Sequence, residues 1–162
     1  SDIHKYGYGK VSDFLTTSYK KNSYDWIITN PPFNLAETFF IKANSICKVG
    51  VALLVRTVFL ESVGRYRRIF IDNPPSKFAQ FVERVPMIKG KLDRKASTAT
   101  GYAWIVWEKT KRRKANLIWI PPCRIKLERD EDYLLNKKHL QIKSKKKIKK
   151  GLNLKKQGDL FS

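Results

Sequence analysis

The chain has 162 residues, 42% of them hydrophobic, and 34 Lys and Arg stand against 14 Asp and Glu for a formal net charge of +20. That apolar content suits one domain with a real core and excludes a disordered chain, while the lack of any run of about 18 apolar residues excludes a membrane-spanning helix. The charge asks for a polyanionic partner, nucleic acid first; a basic membrane-surface protein would need an amphipathic helix with a large apolar face, and none is found. The N-terminal residues show no signal-peptide pattern. Cys47 and Cys123 have no metal or disulfide spacing and read as small packing residues. His4 and His139 are isolated.

In chain order, Gly9 to Phe14 reads as a short strand. Asp13 stands at its end, where such a residue often caps the following segment. Trp26-Ile27-Ile28 is an apolar run that reads as a buried strand. It must stop at Asn30, because Pro31 and Pro32 lack N–H groups and hold the residues before them extended. Leu35 to Cys47 has helical periodicity through Leu35, Phe39, Phe40, Ala43 and Ile46. Val49 to Val55 is a β-branched strand ending in Arg56, and Leu60 to Asp72 a second helix. Asn73-Pro74-Pro75 follows that helix and reads as its stop signal; Pro121-Pro122 has no Asn before it. Lys77 to Val85, Gly101 to Glu108 and Asn116 to Ile120 read as strands. The order predicts an α/β fold whose sheet is mostly parallel, with an antiparallel C-terminal hairpin at one edge.

Two basic stretches stand outside these elements. Lys89, Lys91, Arg94 and Lys95 fall in the connection between the hairpin strands, and are expected to contact phosphates rather than serve as a solvated turn. Lys109 to Lys114 reads as a solvated hairpin end. From residue 137 the composition changes, with ten lysines between Lys137 and Lys156. Residues 1–136 are therefore expected to form the domain, and residues 137–162 a basic, disordered tail that adds salt-sensitive affinity for nucleic acid.

Asn30-Pro31-Pro32-Phe33 is where the residue types suggest chemistry. The Asn30 side-chain oxygen and the Pro31 carbonyl are two acceptors on a stiff backbone at the C-terminal end of a strand, the end where open α/β sheets bind ligands. Two such acceptors can bind both hydrogens of one amino group. Phe33 offers a ring for a flat base, worth roughly 1–3 kcal/mol. Hydrogen bonds to an exocyclic amine draw its lone pair out of conjugation and make the nitrogen a nucleophile, by preorganised electrostatics alone.

This tetrapeptide after an apolar strand resembles a motif of the S-adenosylmethionine-dependent amino-methyltransferases. Asp2-Ile3-His4-Lys5-Tyr6-Gly7-Tyr8-Gly9, Ser12-Asp13-Phe14-Leu15, Phe59-Leu60-Glu61-Ser62 and Thr100-Gly101-Tyr102-Ala103-Trp104-Ile105-Val106-Trp107-Glu108 resemble segments of the bacterial and prophage DNA N6-adenine methyltransferases. The resemblance runs from Asp2 to about Ile120. It implies a Rossmann-like methyltransferase sheet, with Asn30, Pro31, Pro32 and Phe33 as the catalytic segment. It also implies S-adenosylmethionine as cofactor, with Asp2 on its ribose, Asp13 on its adenine and Phe14 packed against that ring. The family's glycine-rich turn is not found in this sequence. The expectation is therefore a partial sheet lacking the first two strands, without measurable cofactor binding alone, and completed by a further polypeptide or left as a remnant.

The resemblance places the protein in the cytoplasm, at the nucleoid. The alternatives it leaves open are a non-catalytic nucleic-acid-binding remnant, and methylation of RNA or of a protein glutamine. Gln157-Gly158-Asp159-Leu160-Phe161 separately resembles the pentapeptide by which bacterial replication proteins bind the sliding clamp. Gln157 would then lie at a pocket edge, with Leu160 and Phe161 filling it.

Overall fold

Tyr24–Thr29 forms the first strand, β1. Its apolar run favours an extended chain, and the double proline removes the donors that would continue its ladder. The structure is a computed structural model, and it describes residues 2–5, 9–87, 93, 95–110 and 114–133. After β1, Pro32 holds φ −53° and ψ 126°, and a short 3₁₀ turn over Phe33–Leu35 leads into helix α1, Ala36–Ile46. Ala36, Phe40 and Ala43 recur at helical spacing and are buried, which fixes the face α1 turns to the sheet. Cys47 is already extended, so α1 passes directly into β2, Cys47–Arg56.

β2 pairs in parallel with β1 and antiparallel with β4, Tyr102–Glu108. β3, Lys77–Phe81, pairs antiparallel with β4 and in parallel with β5, Asn116–Ile120. The five-stranded order is β1-β2-β4-β3-β5. Four strands share one direction and only β4 opposes them, so the sheet is mostly parallel with an antiparallel hairpin, as the element order predicts. The hairpin is not at the rim, however. β4 inserts between β2 and β3, and β5 takes the outer edge.

Residues at alternate positions of the strands face α1. Val51, Leu53 and Val55 of β2 pack with Ile105 and Trp107 of β4 and with Phe40 and Ala43 of α1. The Phe40 and Trp107 ring centroids lie 4.3 Å apart. Phe59 and Ile69 complete this core from the segment after β2. Among the described residues β1 and β5 have one strand neighbour each, and Ile28 and Trp119 are exposed there, 66% and 62%.

Three sequence expectations change. Gly9 to Phe14 is not a strand; only an isolated parallel bridge joins Val11 to Asp2. The helix expected over Leu60 to Asp72 begins later, after a 3₁₀ turn at Thr57–Leu60: α2 at Val63–Arg65 passes without a break into a wider π turn at Tyr66–Phe70. The strand expected to reach Val85 ends at Phe81, where β5 also ends beside it at Ile120.

The described residues divide into two compact units: those within 1–85 and 98–122, and those within 86–97 and 123–133. The first holds the sheet. The second, in its described part, holds the short helix α3, Arg124–Leu127, whose Arg124 Nη2 donates to the Asp93 carbonyl at 3.1 Å. No described helix is long and apolar enough to cross a membrane.

Candidate functional site

β1 and β2 end side by side. Thr29 pairs with Leu53, and β2 then runs on to Arg56. The segment Asn30-Pro31-Pro32-Phe33 therefore lies along the last residues of β2, at the C-terminal ends of two parallel strands. Asn30 is exposed, Pro31 buried, Pro32 exposed and Phe33 half-buried. Among the described residues, no hydrogen bond engages the Asn30 side chain or the Pro31 carbonyl.

Phe33 has two close neighbours. The Arg56 guanidinium lies over its ring, 4.9 Å from the centroid, and the Tyr102 ring packs at 5.6 Å with a 36° tilt. Arg56 and Tyr102 are partners across β2 and β4, so one rung of the sheet supplies both. Thr57 N–H donates to the Gly101 carbonyl at 3.0 Å and extends that pairing by one step. Sequence reasoning noted Arg56 only as the end of a strand and gave it no role. The signal was a cation closing an apolar strand that neighbours the strand bearing Asn30.

The first turn of α1 is tied down on its far side. Arg68 makes a paired contact with Glu37, its Nη2 lying 3.0 Å from Oε2. This hydrogen bonding holds the Glu37 carboxyl below its ordinary value of 4.5, against a smaller opposing effect of burial. The Phe59-Leu60-Glu61-Ser62 segment is a built turn. Arg65 Nε donates to the Phe59 carbonyl at 2.6 Å, and its Nη2 donates to Val58 at 3.2 Å. Ser62 Oγ accepts the Arg65 N–H at 3.3 Å as the cap of α2. Arg65 thereby satisfies carbonyls that a continuous helix would have bonded itself.

The three residues implied for a cofactor lie on the segment before β1. Asp2 and Val11 are bridged, with Asp2 N–H donating to Lys10 and its carbonyl accepting from Ser12. Asp2 Oδ1 accepts the His4 N–H, and Asp13 Oδ1 accepts the Leu15 N–H, both at 2.8 Å. Asp13 thus makes the local cap considered from sequence. Phe14 stacks on Phe39 of α1 at 5.1 Å and meets Tyr19 at 5.6 Å. Lys42 secures the same segment to α1, donating to the Leu15 and Thr17 carbonyls at 2.6 and 2.7 Å. Sequence reasoning missed Lys42, because a lysine within an amphipathic helix ordinarily reads as solvated.

Asn73 behaves as a structural residue. Its carbonyl accepts Trp107 Nε1 at 2.9 Å and its side chain accepts from Asn44 at 3.3 Å. Of the residues expected to meet phosphate, Lys95 is exposed in the second unit, with its N–H on Asp93 Oδ1 at 3.0 Å. Lys89, Lys91 and Arg94 lie outside the described residues, as do Gln157, Leu160 and Phe161.

No protein-family profile and no curated protein sequence matches the chain. Among solved structures, it is similar to the crystal structure of a predicted O-methyltransferase, protein Atu636 from Agrobacterium tumefaciens. The identity is 16% and the TM-score 0.42, over 68% of this chain and 50% of that one, so the chain spans half the length of that protein.

Proposed function

We propose that this chain carries the target-amine site of an S-adenosylmethionine-dependent DNA adenine-N6 methyltransferase. The observation that carries the reading is the placement of Asn30-Pro31-Pro32 at the end of parallel strand β1, with the Asn30 amide exposed and unengaged and Phe33 beside it. The net charge of +20 supports a nucleic-acid substrate over a protein one.

The chemistry follows from these residues. An adenine swung out of the duplex donates one amine hydrogen to Asn30 Oδ1 and the other to the Pro31 carbonyl. Its ring is held against Phe33. The paired acceptors localise the lone pair on the amine nitrogen, and the stiff Pro31-Pro32 backbone aims that nitrogen, so catalysis is mostly positioning.

Asp2 and Asp13 each have one carboxylate oxygen on a backbone N–H and the other without a partner among the described residues. Two such acceptors on the segment that carries Phe14 are of the chemistry that the hydroxyls and amine of a nucleoside require. When bound, S-adenosylmethionine supplies an electrophilic methyl group on sulfur; Asp2, Asp13 and Phe14 would hold its nucleoside end.

The test is methyl transfer from tritiated S-adenosylmethionine to adenine-containing duplex and to RNA, by the chain with and without an added polypeptide that bears a glycine-rich cofactor turn. Label on the duplex, lost in Asn30→Ala, is the expected result. Near wild-type labelling by Asn30→Ala contradicts the role of Asn30. DNA binding without label in any pairing supports a non-catalytic DNA-binding protein instead. The clamp contact through Gln157, Leu160 and Phe161 remains a separate proposal; a pull-down with sliding clamp, lost in a Leu160→Ala/Phe161→Ala chain, is its test.

A further inference from the structure

Arg56 is the group at this site that the mechanism does not use. It closes β2 at the strand ends where Asn30 closes β1. It is exposed, and its guanidinium lies over the Phe33 ring at 4.9 Å. Among the described residues it has no carboxylate partner. The other arginines of this unit that engage partners have oxygen acceptors: Arg65 three carbonyls and Arg68 the Glu37 carboxylate. Arg56 is held only by a ring face, an interaction weak enough at an exposed site to exchange readily.

We infer that Arg56 is the phosphate-binding residue of the nucleotide whose base docks at Phe33, and that it guards the ring face until that base arrives. The inference rests on the amine-site reading above and names the part of the substrate that Arg56 takes. A base stacking on the face that Arg56 covers must displace the guanidinium. The displaced charge has a flexible stem and no acid to return to. The nearest anion that an incoming nucleotide brings is its own phosphate, which a planar guanidinium matches with two parallel hydrogen bonds. Binding then exchanges a cation–π contact for a charge-assisted one, and a nucleotide is preferred over the bare nucleoside. Tyr102, the rung partner of Arg56, stays packed on Phe33 and keeps the ring in place while the arginine moves.

The experiment compares adenosine with adenosine 5′-monophosphate, titrated into the full chain at fixed low salt and read from the ligand's NMR signals. The wild type is expected to prefer the nucleotide roughly tenfold, the scale of one charge-assisted contact. Arg56→Gln is expected to lose that preference and to bind adenosine at least as well as the wild type, since no guanidinium then covers the ring. Arg67→Gln, at an exposed arginine of the π turn, removes the same charge and is expected to keep the preference. Matching far-ultraviolet circular dichroism establishes that the variants are folded. If Arg56→Gln retains the preference, or both variants lose it equally, while adenosine binding still depends on Phe33, the inference about Arg56 is wrong and the base site stands. If the wild type shows no Phe33-dependent adenosine binding, the base-site reading fails and the inference falls with it.

Discussion

Trp107 Nε1 donates to the Asn73 carbonyl at 2.9 Å, joining an inner strand of the sheet to the residue before the second double proline. The two Asn-Pro-Pro sequences of the chain are thus put to different uses. One is wired into the core, and the other stands open at a strand end. Trp107→Phe keeps a ring against Phe40 but removes the donor. It is expected to cost about 1–3 kcal/mol, because a desolvated carbonyl loses its partner and the smaller ring leaves space behind. Urea unfolding measures the cost; an unchanged midpoint would show that the bond contributes nothing.

Asn30→Ala should behave in the opposite way. Asn30 is exposed and engages no other side chain, so stability should move by no more than about 0.5 kcal/mol. The effect belongs to recognition. N6,N6-dimethyladenosine has no amine hydrogens to donate, so the wild type should bind adenosine in preference to it, by roughly tenfold per hydrogen bond lost. That preference should shrink in Asn30→Ala. Equal binding of both nucleosides by the wild type would remove the amine from the site.

Gly50 is a position where a side chain cannot fit. A Cβ there would sit 2.5 Å from the Trp107 carbonyl oxygen and 2.6 Å from the Trp26 ring. The first is backbone in the paired strand and cannot swing away. Gly50→Ala is therefore expected to destabilise the chain by about 1–3 kcal/mol through overpacking. It should also loosen β1 from β2, with faster amide exchange at Ile27 and Ile28. At Gly64 the nearest atoms belong to the flexible Arg68 side chain, at 3.0 Å and beyond, and alanine there should be close to neutral. Similar losses at both positions would contradict this account.

The Glu37–Arg68 pair predicts a pH dependence. The hydrogen bond from Arg68 lowers the folded-state value of Glu37 below 4.5. A depressed carboxylate contributes stability that is present above the unfolded value and lost as the pH falls through the folded one. The difference in urea midpoint between wild type and Glu37→Gln should thus be largest above about pH 5 and shrink as the pH falls through the lowered folded-state value. The pair is largely solvated, so the difference should be small and should fade in molar salt. A difference that grows on acidification would refute the assignment.

The strand that leads to Asn30 was legible because its end is written in covalent terms, although its Trp26 and Ile28 are exposed where a buried strand is expected. A proline has no N–H to give a ladder, wherever the rest of the chain goes. α1 was legible because Phe40, Ala43 and Ile46 repeat close to the period of the helix they form. β5 coincides with its expected bounds, Asn116 to Ile120, for the similar reason that its apolar run is closed by Pro121. Gly9 to Phe14 was misread because an extended segment becomes a strand only when a neighbour offers a ladder, and Asp2 supplies a single rung to Val11. The second helix was legible, but not its late start or its width: Arg65 turns back onto the carbonyls of Val58, Phe59 and Glu61, and Ile71 N–H reaches Tyr66 instead of the nearer Arg67.

The sequence by itself determined the pieces of this protein: where chain direction is constrained, which helix face is apolar, which oxygens a double proline holds, and a charge suited to a polyanion. The tertiary structure alone decided that β4 enters the middle of the sheet, and that its Tyr102 and the Arg56 of β2 converge on Phe33. The division has a physical cause. Proline geometry and side-chain period act between residues close in the chain, whereas strand order and register depend on which distant segments bury the most apolar surface together, and no local pattern encodes that choice.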